Sequence, residues 1–168
     1  MKTLTIILLI AANSLLAEPP AASTFARLGD TQKEFEQAHP DFEYMGESPG
    51  NVSNTMVRQY AREGTVAQIV FGADGKVIME AYSDLSGKIP VSSLVPVAKS
   101  YGYDFSALQK ITVSSPWKAI VLHRDFWFSA DHKFCIGIGD VVMDDSKITS
   151  TMTVAGEQVA PTLYQNSH

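Results

Sequence analysis

The sequence has few of the features that mark the common functional classes. Its 168 residues include a single cysteine, and 13 Lys and Arg residues stand against 18 Asp and Glu residues, giving a net charge of −5. One cysteine excludes an internal disulfide, so the burial of apolar side chains has to hold the fold together. The shortage of basic residues argues against nucleic acid and against an anionic membrane surface as partners, because both need clustered Lys and Arg.

The sequence also lacks a long apolar run. Residues 4–16 are almost wholly apolar, but this run is shorter than the ~20 residues that a membrane-spanning helix needs. The run follows Met1 and Lys2 and ends before Ala17, so residues 1–17 are predicted to be a secretory signal peptide, with an uncleaved anchor as the alternative. Residues 18–27 are predicted to be a disordered leader. The protein is predicted to be periplasmic or secreted, with no transmembrane span after signal cleavage.

Two segments carry the signals of a helix. In "DTQKEFEQAHP", Thr31 and Glu34 have the spacing of a capping box, and Pro40 ends the helix. In "SSLVPVAKSYG", Ser93 is the predicted cap and Gly102 follows the last turn. Both segments are therefore predicted to be short helices.

Alternating apolar and polar residues predict strands elsewhere. "TVAQIVF" and "KVIMEAY" alternate with a period of two and flank the turn at Asp74-Gly75, which predicts a β-hairpin. Residues 55–61, "WKAIVL", "DFWFSAD", "KFCIGIG" and "KITSTMTV" are predicted to supply further strands. "GESPGNVSN", residues 46–54, is predicted to be a loop because it is rich in Gly, Pro and Asn. Residues 156–168 are predicted to be a frayed C-terminal tail.

One hexapeptide occurs twice in similar form. "FGADGK", residues 71–76, returns 57 positions later as "FSADHK", residues 128–133, and the same shift partly overlays the two predicted helices. The similarity indicates either a duplicated unit or two unrelated hairpins that share turn residues. Because Gly75 suits a tight turn better than His132, the second turn is expected to differ in geometry. No metal site is predicted, since each hexapeptide offers one Asp beside a Lys and a calcium loop needs several oxygen ligands.

Together these patterns predict an α+β fold in which helices pack on an antiparallel sheet. We place it in a single domain over residues 28–155, built from two tandem helix-plus-sheet units over residues 28–84 and 85–141. No cofactor is predicted.

The order of these signals resembles a known family. "LGDTQKEFEQAHP" is similar to the start of small bacterial envelope proteins that begin "G-x-T-x-x-E-h-x-x-x-h-G-x-P", where h is apolar, and "VFGADGKVIMEAY" resembles their "F-x-D-G-K-V" hairpin. The family is that of the small outer-membrane-assembly lipoproteins and the β-lactamase-inhibitor-like domains, and the resemblance covers roughly residues 28–83. It implies a helix pair on an antiparallel sheet, sometimes in tandem, and a non-enzymatic, protein-binding role. Ala38-His39 replaces the usual apolar-Gly pair, and no cysteine for lipidation follows the apolar run.

The candidate binding residues lie in the second half of the chain. If residues 117–127 form one strand, Trp117, His123, Asp125 and Trp127 share a face of the sheet. A carboxylate near an imidazole raises the pKa of the imidazole and orients the ring, which suits acid–base chemistry or a recognition patch. In the alternative, "HRD" is simply an exposed turn between two strands.

Three functions are compatible with these features. The leading hypothesis is a non-enzymatic binding module that contacts another envelope or secreted protein, or an envelope component, through its sheet face. The first alternative is a small secreted hydrolase that uses His123 and Asp125. The second is a structural envelope protein that only self-associates through an edge strand. Cys135 is predicted to be a small buried hydrophobe, with a reactive thiol or an intermolecular disulfide as the alternative.

Overall fold

The computed structural model describes residues 27–50, 54–85, 88–114, 123–143 and 147–167. The predicted signal peptide, nearly all of the predicted leader and Trp117 lie outside these ranges. Across the described part of the chain, no helix is long and apolar enough to cross a membrane.

The described residues form one eight-stranded antiparallel sheet with the strand order β1-β2-β3-β4-β8-β7-β6-β5. The strands are β1 Glu43–Pro49, β2 Met56–Arg62, β3 Thr65–Phe71, β4 Val77–Asp84, β5 Gln109–Ser114, β6 His123–Phe128, β7 Cys135–Met143 and β8 Lys147–Ala155. The helices are α1 Gln32–Ala38, α2 Leu94–Ser100 and α3 Ala160–Gln165, with 3-10 turns at Val91–Ser93 and Phe105–Ala107. Strands β4 and β8 pair at the centre of the sheet, and β1 and β5 are its two edges.

This sheet overturns the predicted fold class, an α+β fold of helices packed on an antiparallel sheet in two tandem units. Among the described residues strand is the main regular structure, all eight strands belong to one continuous sheet, and the α-helices are only six or seven residues long. The two hexapeptides do not mark corresponding places in it. The first closes the hairpin that leads into the central strand β4, whereas the second closes β6–β7, a hairpin that contains no central strand.

The edge strands account for much of the difference. Strand β1 occupies Glu43–Pro49, where a loop was predicted for residues 46–54 because of Gly and Pro. Both residue types are tolerated in an edge strand, since its outer backbone groups make no ladder bonds. Gly46, at φ +147°, lies at a bulge in the pairing with β2. Strand β5, Gln109–Ser114, was not among the predicted strands.

Both predicted helices are present, and the first has the predicted cap. The Thr31 hydroxyl accepts a hydrogen bond from the Glu34 backbone N–H at 3.4 Å, and the Glu34 carboxylate accepts one from the Thr31 backbone N–H at 2.8 Å. Ser93 makes no side-chain cap for α2, because it lies in the 3-10 turn that precedes the helix. Gly102 follows α2 at φ +82°, as the C-terminal signal predicts.

The hairpin turns made by the two hexapeptides are nearly alike. Asp74 and Asp131 each accept a hydrogen bond from the backbone N–H two residues on, at 3.1 Å in both turns. Gly75 and His132 both have left-handed backbone, with φ values of +73° and +57°, so the expected difference in turn geometry is wrong. The His132 ring stacks on Tyr164 with 3.6 Å between centroids, which helps to offset the cost of this conformation for a residue with a Cβ.

Helices α1 and α2 lie on one face of the sheet, here called the helical face. Its core joins Phe35 of α1 and Leu94 and Val97 of α2 to strand residues such as Tyr60 and Trp127. These side chains are almost completely buried. The opposite surface of the sheet is here called the open face.

Helix α3 packs on the open face, where the sequence predicted a frayed tail. Ala160 is fully buried, and the Tyr164 ring meets Phe128 edge to face, with 5.2 Å between centroids. Pro161 falls in the first turn, where its missing N–H has no partner to lose. Cys135, under the same cluster, is 0% exposed, which confirms the prediction of a small buried hydrophobe. Burial raises the pKa of its thiol to about 12.

Candidate functional site

The tripeptide "HRD" lies in strand β6 and not in a turn. Positions 123, 125 and 127 alternate with 124 and 126 along β6, so Asp125 and Trp127 share the helical face. His123 begins the strand, opposite position 140 of β7. Trp117, the fourth residue predicted to bind, lies outside the described residues. The exposed-turn interpretation of "HRD" is therefore wrong.

The Asp125 carboxylate already has partners on the helical face. It accepts a hydrogen bond from the Thr112 hydroxyl at 2.6 Å and lies 2.8 Å from the Lys110 ammonium. The same ammonium lies 5.3 Å from the centre of the Trp127 ring, and Phe105 packs against that ring at 5.2 Å. Trp127 is 7% exposed, so it belongs to the core at this position.

A groove of about 490 Å³ lies on the open face. The strand register shows that it crosses the strands: Gln68, Ala81, Thr153, Gly137 and Phe126 stand opposite one another on β3, β4, β8, β7 and β6. Five strands spaced by about 4.8 Å span about 19 Å, so the groove is long enough for several residues of an extended chain.

A second row of residues widens the groove by one step along each strand. This row is Ser83, Thr151, Gly139 and Arg124, on β4, β8, β7 and β6. The Ser83 and Thr151 hydroxyls bond to each other at 2.8 Å, so they form a closed polar pair in the floor. The floor of the groove therefore consists of glycine, alanine, serine and threonine, and it stays low because none of these side chains is large.

Gly137 shows why the floor is shaped this way. A Cβ at this position would lie 2.3 Å from a ring carbon of Phe126 and 3.0 Å from the Asp125 carbonyl oxygen. Only glycine leaves room for the Phe126 ring to lie across β7, where it forms the wall at one end of the groove. Met79 and Leu163 supply the other apolar walls, and Leu163 comes from α3.

Arg124 is the one charged side chain among the residues that line the groove. It is exposed and makes no ion pair within the described part of the chain, in a protein whose net charge is −5. The groove therefore combines an apolar wall, hydroxyl groups and one cation that no described carboxylate pairs with. The groove was not predicted from the sequence, although the small residues that alternate in "CIGIG" and "STMT" are a local signal of a low sheet surface.

No family model, no curated protein and no solved structure matches this chain. The resemblance to the small outer-membrane-assembly lipoproteins and the β-lactamase-inhibitor-like domains stays a prediction.

A buried carboxylate on the helical face is the second unusual group. Glu80 is 0% exposed, and it accepts hydrogen bonds from the Arg27 backbone N–H at 2.8 Å, from the Tyr82 hydroxyl at 3.0 Å and from the Tyr101 hydroxyl. Burial raises the pKa of Glu80 above its ordinary value, against the opposing effect of these three donors. The Tyr101 hydroxyl also accepts a hydrogen bond from the Leu28 backbone N–H at 3.2 Å.

This arrangement ties three parts of the chain together. The segment at Arg27 and Leu28, strand β4 and the residue after α2 all meet at Glu80. Because the donors surround the carboxylate and it has no exposed surface, the cluster works as an anchor for the helical face and not as an open binding site. Among the described residues, no group of three His, Cys, Asp or Glu side chains is placed to hold a metal ion.

Proposed function

We propose that this protein is a binding module that takes a segment of another exported protein into the groove on its open face. The observation that carries the proposal is Arg124, which has no ion-pair partner among the described residues and lies at the end of a groove with a small-residue floor and apolar walls. The segment that fits is extended, places apolar side chains against Met79, Phe126 and Leu163, and offers a carboxylate to Arg124. Charge-assisted hydrogen bonds between a guanidinium and a carboxylate are among the stronger polar contacts in proteins.

The surroundings of Asp125 favour binding over hydrolysis. Its carboxylate contacts the Lys110 ammonium and the Thr112 hydroxyl on the helical face, away from the groove. Cys135, the one thiol, is fully buried and its pKa is raised, so it is not an available nucleophile.

We further propose that the protein works outside the cytoplasm, after removal of residues 1–17. The apolar run in those residues supports this location, and the resemblance to envelope proteins supports a protein partner. These two arguments, from the apolar run and from the resemblance, do not depend on the groove, because the groove could bind the same segment in any compartment.

Reversing the charge of Arg124 tests the proposal. Peptides would be selected from a phage-displayed random library on the immobilised protein, then labelled with fluorescein and measured by fluorescence anisotropy. We expect the selected peptides to share a carboxylate beside apolar residues. We expect Arg124→Glu to weaken their binding by about tenfold or more, because repulsion replaces attraction at this position.

Lys33→Glu is the matched control, because Lys33 is an exposed residue of α1 and the substitution makes the same change in net charge. Its affinity for the selected peptides should equal that of the wild type. Equal weakening by both substitutions would show a general charge effect, and full binding by Arg124→Glu would remove the groove as the site.

A further inference from the structure

The two edges of the sheet differ in how well they are protected from pairing. Strand β1 has a bulge at Gly46, a proline at its end and two acidic residues, Glu43 and Glu47. Bulges, prolines and charges are the usual means by which edge strands avoid adding another strand. Strand β1 is therefore a closed edge.

Strand β5 carries none of these devices except one charge. All six residues of Gln109–Ser114 pair in unbroken register with β6, and its sequence "QKITVS" contains neither Gly nor Pro. Within the described residues, no strand or loop pairs with its outer side. Lys110 is its one charged residue, and the Asp125 carboxylate neutralises it at 2.8 Å. Judged on the described residues, strand β5 is a regular, open edge of high β propensity.

We propose that β5 pairs antiparallel with β5 of a second copy of this chain, with the two-fold axis at Thr112. In this register Ile111 lies opposite Val113 of the second copy, and Val113 lies opposite Ile111 of the second copy. Both residues belong to the open face and are partly buried against its core, so their pairing extends an apolar surface that already exists.

The residues of β5 fit a copy of the same strand better than an unrelated one. A two-fold axis at Thr112 places Thr112 opposite itself and Lys110 opposite position 114. No like charges then face each other, and directly opposed like charges are what destabilises a strand pair. Self-complementarity about a two-fold axis is the property that a symmetric dimer interface requires.

The pairing also joins the two grooves. A two-fold axis between antiparallel edge strands is perpendicular to the sheet, so the open faces of both copies lie on the same side. The row that ends at Phe126 and Ile111 continues into Val113 and Arg124 of the second copy. The dimer would therefore carry one groove across both sheets, although its formation does not depend on a groove ligand.

Charge substitutions at Thr112 test the axis. Thr112 is exposed and its hydroxyl donates to the Asp125 carboxylate, so thermal unfolding has to verify that substitutions there leave the fold intact. By sedimentation velocity over a wide concentration range, we expect wild type to shift from one chain mass to two. We expect Thr112→Lys and Thr112→Glu each to remain monomeric, because like charges meet on the axis, and an equal mixture of the two to regain the doubled mass.

Cysteine cross-linking tests the register independently. Residues directly opposite each other on antiparallel strands have Cα atoms about 4.5–5.5 Å apart, within the range that a disulfide spans. Thr112→Cys should form a covalent dimer on mild oxidation, whereas Lys110→Cys, on the same face, should form little, because it lies opposite position 114. The native Cys135 is fully buried and gives no background.

Ser48→Lys, on the exposed edge strand β1, is the matched control and should leave the dimer unchanged. The proposal is overturned if wild type stays monomeric at all concentrations, if Ser48→Lys abolishes the dimer, or if Lys110→Cys cross-links as well as Thr112→Cys. Because these measurements use mass and cross-linking alone, their failure leaves the peptide-binding proposal untouched, and the loss of peptide binding leaves the dimer untouched.

Discussion

Replacing Glu80 with alanine is expected to lower the free energy of unfolding by about 3–5 kcal/mol. The substitution leaves the Arg27 backbone N–H and the hydroxyls of Tyr82 and Tyr101 without their acceptor, in a place with no exposed surface. It also leaves a void where the carboxyl group was. The change in the free energy of unfolding is measured by urea denaturation, monitored by far-ultraviolet circular dichroism.

Glu63→Ala is the control for this substitution, because Glu63 is exposed in the turn between β2 and β3. It should change the free energy of unfolding by no more than about 0.5 kcal/mol. The loss in free energy of unfolding for Glu80→Gln should lie between those for Glu80→Ala and Glu63→Ala. The amide oxygen still accepts one hydrogen bond, but the amide NH₂ faces groups that are themselves donors. A loss for Glu80→Ala as small as that for Glu63→Ala would mean that the three donors find other partners.

The stabilising contribution of Glu80 is expected to fall as the pH rises. Burial raises the pKa of Glu80 in the folded protein above 4.5, its value in the unfolded chain. Between the two pKa values the folded state keeps a proton that the unfolded state has lost, so stability is highest below 4.5 and decreases as the pH rises through the folded pKa. Its neighbours Tyr82 and Tyr101 have raised pKa values and stay neutral.

The difference in the free energy of unfolding between wild type and Glu80→Gln isolates this effect. Between about pH 4 and about pH 8, the free energy of unfolding of the wild type should decrease relative to that of Glu80→Gln. A difference that does not change with pH, or that shifts in favour of the wild type, would show that the three hydrogen bonds outweigh burial and hold the carboxyl ionised throughout.

Local signals predicted the parts of the fold that depend on neighbouring residues. The capping box of Thr31 and Glu34 and the alternation in β3 and β4 were found because each involves contacts within a few residues. The sequence analysis predicted two tandem units and not a single sheet of eight strands, because the pairing of β4 with β8 joins residues about seventy positions apart. No periodicity within one segment reports such a pairing.

The candidate site could be predicted only in fragments. The alternation in β6 places Asp125 and Trp127 on one face, as predicted, but it does not say which face is open. The groove takes residues from five strands, and Arg124 is part of it because the helices leave that side of β6 exposed. The sequence pattern instead favoured His123 and Asp125, on either side of Arg124, because imidazole and carboxylate groups are common in catalytic and binding sites.

Replacing Trp127 with alanine is expected to lower the free energy of unfolding by about 3–5 kcal/mol, the usual cost of removing a large aromatic side chain from a core. Trp127 is 7% exposed, Phe105 packs on its ring, and the Lys110 ammonium lies over it. Because it faces away from the groove, the folded fraction of Trp127→Ala should bind the selected peptides as tightly as wild type does. Denaturation curves and anisotropy at low temperature measure the two quantities separately.

Trp127→Phe serves as the control, because it keeps an aromatic ring in the core and should cost only about 1–2 kcal/mol. The sequence proposed Trp127 as a binding residue, and the same pair of variants tests that role. If Trp127→Ala remains as stable as wild type but loses the peptides, the helical face binds them and the groove does not. If stability falls and affinity is kept, the contribution of Trp127 is to hold β6 in place, with Arg124 presented on the opposite face.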